Sequence, residues 1–336
     1  MKQVSAIILA YRDEPLLNQC IQAVLNSRHV DVEVVLVNNG SDSVRGVVDD
    51  SRMKILSPGT NTGFAGGCNL AASAATYETL VFINSDLIVE KDTIAALAGR
   101  LDDESVGLVT GAVVLPGSDR RINSIGNPIH YLMFSWAGSF GESFADHDAE
   151  EVVAGVSGAL FACRREHWNR LNGFDDQFFA YAEDADISLR TWQSGRRVVF
   201  EPSAIGVHHY EFSKNTGKWF LLERNRMINV VTLYDTRSLA LLIPILLPIE
   251  IGIFIASLRG GWASEKLSSW RWVLTHRDYL RERRLRILAA KKQRDPSWTR
   301  VLVGRMDIPQ EFGLRVPEPV NWVLNLYWSA LQRHLA

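Results

Sequence analysis

The sequence predicts an α/β fold: a Rossmann-like, mostly parallel sheet with helices on both faces, followed by a helical, membrane-associating C-terminal extension. Three observations carry this expectation. Short apolar runs alternate with segments whose apolar residues recur at helical spacing. Polar clusters follow the apolar runs, at the strand ends where open parallel sheets collect ligands. Past residue 235 the chain turns into long apolar and basic helical stretches, so the expected domains are 1–235 and 236–336.

Taken in order, 4–10 is an apolar run suited to a strand buried on both faces. Tyr11 to Pro15 breaks it, and 16–26 has helical spacing at Leu17, Ile21, Val24 and Leu25. A second strand over 32–37 ends in Asn38, Asn39, Gly40, Ser41 and Asp42. A third, over 53–56, precedes a glycine-rich stretch from Asn61 through Gly63 to Asn69, with a helix expected over 70–75. The fourth strand, 79–83, ends in Asn84, Ser85 and Asp86. A helix over 93–101 leads to a fifth strand over 106–115. Residues 116–149 are irregular but aromatic, which marks a packing or binding loop that includes Trp136. The chain returns to the core over 152–162, forms short strands at 197–200 and 204–207 before His208, and continues as a helix over 219–234 carrying Arg224 and Asn225.

Composition narrows the class. With 47% hydrophobic and 22% charged residues the chain can bury a core, which excludes disorder. Net charge is −2, but residues 259–315 hold 14 Lys and Arg against 6 Asp and Glu, an excess of +8 that suits an anionic surface. Cys20, Cys68 and Cys163 form no C-x-x-C pattern and read as reduced thiols without a zinc site. The first strand begins next to Met1, so the expected setting of the N-terminal domain is cytoplasmic.

The most informative stretch runs from Gly173 to Arg190: an aromatic, acidic loop entering a helix. A helix N-terminus favours anionic groups, so Glu183 and Asp184 can stay ionised beside Phe178, Phe179 and Tyr181. Positions 184 and 186 differ by about 200° around a helix and cannot face one site. Asp186 stands four residues before Arg190, the spacing of an ion pair. That leaves Asp184 as the candidate general base, with Glu183 and Tyr181 beside it. Asp86, at a strand tip, and His208, after another, suit a hard divalent cation, although an Asx-turn and a structural histidine fit the same residues. The glycine-rich stretch follows the third strand and lacks G-x-G-x-x-G, which disfavours a dinucleotide fold. Simple turn chemistry and direct ligand contact both fit it.

The ordered set Tyr11, Asn38–Asp42, Asn61-x-Gly-Phe-x-Gly-Gly-x-Asn69, Asn84-x-Asp86, Gly173-Phe-Asp-x-x-Phe-Phe-x-Tyr-x-Glu-Asp-x-Asp186, His208 and Arg224-Asn225 resembles the family 2 glycosyltransferases of GT-A fold, in their rhamnosyltransferase-like branch. The resemblance covers roughly residues 4–235. It implies a nucleotide-sugar donor, a divalent metal (Mg²⁺ or Mn²⁺) and inversion at the anomeric carbon. On this resemblance Tyr11, Asn38, Asn39 and Asp42 hold the nucleoside, with Asn61, Gly63, Asn69 and Asn84 further donor-side residues. Asp86 and His208 are metal ligands, Asp184 is the base, and Glu183, Tyr181, Trp136, Arg224 and Asn225 are acceptor-side or supporting residues. The chain departs from the family in Asn84 and Asn38, where many members carry Asp, which implies weaker metal binding. dTDP-rhamnose is the favoured donor and a UDP-sugar the alternative.

Two other readings compete. A sugar-phosphate nucleotidylyltransferase needs a glycine-rich loop after the first strand, and residues 10–15 contain no glycine. A non-catalytic carbohydrate-binding or scaffold protein has no use for a base and a metal acid together. In the C-terminal third, residues 239–258 are long enough to cross a bilayer core at about 1.5 Å per residue. Pro244, Pro248 and Glu250 argue against a simple span, and a buried bundle helix or homo-oligomer surface is the alternative. Trp262, Trp270 and Trp272, interleaved with Arg and Lys, point to an anionic cytoplasmic leaflet, with no nucleic-acid module in the chain. The expectation is a peripheral or monotopic enzyme on the cytoplasmic face of the inner membrane, acting on a lipid-linked glycan.

Overall fold

The computed structural model describes residues 1–12, 14–209, 217–309 and 316–335. Its described residues form two compact units: Met1–Asn127, Ala137–Thr191 and Arg196–Glu211 make the first, and Pro128–Trp136, Trp192–Gly195 and Phe212–Ala336 the second.

The first unit is a mixed α/β sheet domain. Its strands are β1 (Lys2–Ala10), β2 (Val30–Asn38), β3 (Met53–Leu56), β4 (Thr79–Asn84), β5 (Leu87–Val89), β6 (Val106–Val114), β7 (Ile122–Ser124), β8 (Glu151–Val152), β9 (Leu160–Arg164) and β10 (Arg197–His208). The main path runs β3-β2-β1-β4-β9-β6-β10-β5. Strands β3, β2, β1 and β4 are mutually parallel, and β10 is parallel to β6. The buried apolar run of β1 and the similar run of β2 explain why these strands occupy the interior of the sheet. Between β4 and β6 the sheet reverses: β9 pairs antiparallel to both, setting Phe82 opposite Phe161. Those rings stack at 4.4 Å and, with Trp168 and Phe174, form an aromatic block under the acidic loop.

Helices α1 (Leu17–Leu25), α2 (Gly63–Ala74), α3 (Thr93–Arg100), α4 (Arg165–Arg170) and α5 (Glu183–Gln193) belong to this unit, apart from the last residues of α5. Two expectations shift. The helix expected over 70–75 begins at Gly63, so the glycine-rich stretch is its first turns and not a preceding loop. The strands expected at 197–200 and 204–207 are one strand, whose pairing with β6 slips between Glu201 and Ile205, around Pro202, which cannot donate to the ladder.

The second unit is helical: α6 (Lys218–Leu233), α7 (Thr236–Gly260), α8 (Ala263–Thr275), α9 (Arg277–Ala290), α10 (Asp295–Trp298) and α11 (Glu318–Leu335). The aromatic segment 128–136 packs within it: Tyr131 is buried, stacks on Trp328 at 4.8 Å and donates to the Leu324 carbonyl at 3.1 Å. Among the described residues α7 is one helix long and apolar enough to cross a membrane, with 22% of that window buried. Glu250, which argues against a simple span, faces inward within this unit. It takes hydrogen bonds from Arg226, from Lys266 at 2.7 Å and from Trp270 Nε1 at 2.7 Å, and Glu223 closes the cluster with the same Arg226 and Lys266. The expected basic and aromatic belt is also only partly exposed. Lys266, Arg283 and Trp262 are buried, Arg283 against Thr232 and Trp262 stacked on Trp219 at 4.6 Å. Arg259, Arg271, Arg277, Arg281 and Arg286 lie on the surface.

Candidate active site

Because β1, β2, β3 and β4 are parallel and β6 and β10 share their direction through β9, the carboxyl ends of all six lie along one rim. Tyr11, Asn39, Asn84 and His208 stand at or just past those ends.

The rim is tied together through asparagines. Asn38 Oδ1 accepts from the backbone N–H groups of Gly40 and Ser41, at 3.0 and 2.8 Å, closing the turn after β2. Asn39 is buried; its Nδ2 donates to the Gly63 carbonyl at 2.8 Å and its Oδ1 accepts from Thr62. Asn61 Oδ1 accepts from Gly63 N–H at 2.9 Å. Asn69 grips Phe174 in both directions and reaches Asp176 at 2.6 Å. Gly63 takes φ +73°, and a Cβ there would stand 2.4 Å from the Phe179 carbonyl oxygen. The glycine thus lets α2 start against the acidic loop, where Ala65 N–H donates to the same carbonyl at 3.1 Å. Tyr11 is 40% exposed with the Arg12 guanidinium 4.9 Å from its ring centre, and Asp42 is exposed.

The loop before α5 holds Phe179, Tyr181 and Ala182 at positive φ, a strained backbone that aims the first turn of the helix. Asp184 is partly exposed. Its Oδ2 accepts from Asn127 Nδ2 at 3.1 Å and Gly158 N–H at 3.3 Å, and Oδ1 accepts from its neighbour Ala185 N–H. The next residue, Ala159, accepts from Asn84 N–H at 3.0 Å, which ties Asp184 to the tip of β4. Burial raises the Asp184 pKa, and these hydrogen bonds oppose the rise. Glu183 is 7% exposed and its Oε2 has no hydrogen-bond partner among the described residues; burial, then the Asp184 charge, push its pKa up. Asp186 is wholly buried and paired with Arg190 at 2.6 Å, and Arg190 also donates to the carbonyls of Leu171 and Gly173.

Asp86 and His208 meet directly: His208 Nε2 lies 3.0 Å from Asp86 Oδ1, and Nδ1 lies 3.1 Å from Asn123 Oδ1. His208 is buried, whereas the Asp86 side chain is about one-third exposed. Each ring nitrogen of His208 thus faces a side-chain oxygen, which fixes the orientation of the imidazole beside the Asp86 carboxylate. A carboxylate oxygen beside an imidazole nitrogen is a donor set for Mg²⁺ or Mn²⁺ completed by phosphate oxygens. Among the described residues there is no cluster of three or more His, Cys, Asp or Glu placed to hold a metal.

Trp136, Arg224 and Asn225 belong to the second unit. Arg224 and Asn225 are buried there, the guanidinium 5.1 Å from the ring centres of Phe220 and Trp272. Sequence reasoning missed Asn123, Asn127 and Gly158. The signal for the first two was Asn123-Ser-Ile-Gly-Asn127 itself, with Gly126 at φ +114° turning the chain between them.

Residues 5–171 match the family described as glycosyl transferase family 2, and residues 141–214 match the N-terminal domain of galactosyltransferase. Among curated relatives, the probable glycosyltransferase YdaM of Bacillus subtilis (strain 168) is 25% identical over 238 residues, 67% of this chain and 54% of that protein. The N-acetylglucosaminyl-diphospho-decaprenol L-rhamnosyltransferase of Mycobacterium tuberculosis (strain CDC 1551 / Oshkosh) is 36% identical over 61 residues, 18% of this chain and 20% of that protein. The chain therefore spans about half the length of the first of these. Among solved structures, GalNAc-T7 with UDP, GalNAc and Mn²⁺ superposes with a TM-score of 0.58 at 16% identity, covering 70% of this chain and 48% of that one. The Staphylococcus aureus TarS structure gives 0.51 at 16% identity, over 74% and 43%. Through residues 5–171 the chain thus matches the family 2 glycosyltransferases, and its sheet unit carries the GT-A fold.

Proposed function

We propose that this chain is an inverting glycosyltransferase that moves a sugar, rhamnose in the favoured case, from a nucleotide-sugar donor to a lipid-linked glycan in envelope polysaccharide synthesis. The observation that carries the reading is the partly exposed Asp184, held by Asn127 and Gly158 and tied through Ala159 to the strand tip that leads to Asp86. A carboxylate with a raised pKa, oriented by hydrogen bonds and open on one side, suits a general base.

Asp184 takes the proton of the acceptor hydroxyl as its oxygen attacks the anomeric carbon. The bond from that carbon to the diphosphate oxygen breaks on the opposite face, and no covalent enzyme intermediate forms. Tyr11, Asn38 and Asp42 line the nucleoside end. Asn39 and Asn69 act by holding the turn and the acidic loop in place. Asp86 and His208 would hold a divalent ion, which when bound supplies charge to offset the leaving diphosphate. The solved relative crystallised with UDP and Mn²⁺ supports a metal and a nucleotide, and the decaprenol-linked rhamnosyltransferase supports the sugar and the acceptor class.

Purified protein incubated with a panel of dTDP-, UDP- and GDP-sugars is predicted to release nucleotide from one of them. EDTA is predicted to stop that release, with Mg²⁺ or Mn²⁺ restoring it. No release from any donor would reject the enzyme reading, and full release in EDTA would reject the metal role.

A further inference from the structure

Helix α7 presents two different faces within the second unit. Ile243, Leu247, Ile251, Ile255 and Leu258 are each 45–59% exposed. They recur every four residues, then three, so they form one stripe along the helix. Pro244 and Pro248 lie exposed beside it, where a missing N–H disturbs no inward contact. The opposite face, Leu242, Ile245, Leu246, Glu250 and Ser257, is buried. Glu250 fixes the rotation of the helix, because its carboxylate is shared by Arg226, Lys266 and Trp270.

Neighbouring helices of this unit also carry exposed apolar residues. Tyr327 of α11 donates to the Leu241 carbonyl of α7, and the same helix exposes Trp322 (63%), Val323 and Leu326. Helix α8 exposes Leu267 and Leu274. Arg237 and Arg259, near the two ends of α7, are exposed, as are Arg271, Arg277 and Arg281. An apolar stripe with arginine near both its ends, and an exposed tryptophan on a helix that touches α7, complements an anionic leaflet. A second copy of the chain would set the basic excess of 259–315 against itself.

We infer that α7 lies in the plane of an anionic membrane, its Ile243–Leu258 stripe in the acyl boundary and its Glu250 face against the protein, and does not cross the bilayer. A crossing would carry the Glu223–Arg226–Glu250–Lys266 cluster and the charged surfaces of α8 and α9 into hydrocarbon. The inference deepens the lipid-linked acceptor reading proposed above and names the surface that meets the lipid.

The test adds full-length protein to preformed vesicles without any nucleotide sugar, so failure here leaves the transferase reading untouched. Flotation is predicted with phosphatidylcholine/phosphatidylglycerol vesicles at low salt. The double variant Leu247→Glu, Ile251→Glu is predicted to lower the bound fraction at least about tenfold while its near-ultraviolet circular dichroism stays native. Topology is read with Arg237→Cys and Arg259→Cys, since the native cysteines are buried. A membrane-impermeant maleimide is predicted to label both sites on bound protein. Protection of one site, which a crossing helix would give, overturns the inference. So does a wild type that ignores vesicles but forms a dimer that the double variant abolishes.

Discussion

Glu183 and Asp184 are neighbours in one helical turn with opposite surroundings. Among the described residues Asp184 accepts from three donors and is partly exposed, whereas Glu183 is buried with one oxygen unsatisfied. A carboxyl whose pKa is raised on folding binds its proton more tightly in the folded state. Its contribution to stability is complete below the ordinary glutamate value and is lost as pH rises toward the raised one. Urea unfolding at pH 5 and pH 8 is predicted to show Glu183→Gln losing less stability than wild type over that interval; equal slopes would remove Glu183 as the cause. At this scale the Asp186–Arg190 pair was legible, because four-residue spacing on a helix dictates it. Asn123 and Asn127 were not, since they lie in an irregular segment without periodicity, and their partners His208 and Asp184 are 85 and 57 residues away.

Among the elements, β1 to β4 and their rim were readable from buried apolar runs followed by polar clusters. The start of α2 was not. Glycine is a poor helix former, so Gly63, Gly66 and Gly67 read as a turn, yet the helix begins there because Gly63 admits the Phe179 carbonyl. Gly63→Ala is predicted to cost about 1–3 kcal/mol in denaturant unfolding, from the positive φ and the close approach together. A neutral result would show that the acidic loop yields. The partners of Glu250 on α7 were hidden for a related reason: Lys266 and Arg226 stand 16 and 24 residues away, beyond any local pattern. Lys266→Met leaves two buried carboxylates to share Arg226, and thermal unfolding is predicted to show a loss of about 3 kcal/mol. An unchanged melting temperature would mean that water reaches the cluster.

Across the whole molecule the sequence order conceals how the units are assembled. Residues 128–136 and 192–195 belong to the helical unit although the sheet unit surrounds them in the chain. Composition does not mark them; Tyr131 and Gln193 join that unit through backbone carbonyls at Leu324 and Leu233. The rim, by contrast, follows from strand direction alone, which is why candidate residues from six separate stretches converge on it. The central claim is that this rim transfers a sugar with Asp184 as base. The most direct measurement is turnover of the preferred nucleotide sugar by wild type and Asp184→Asn, with nucleotide binding measured on the same samples. The predicted result is a loss of ~10²–10⁴-fold in turnover with nucleotide affinity retained. Near-normal turnover in Asp184→Asn would contradict the account.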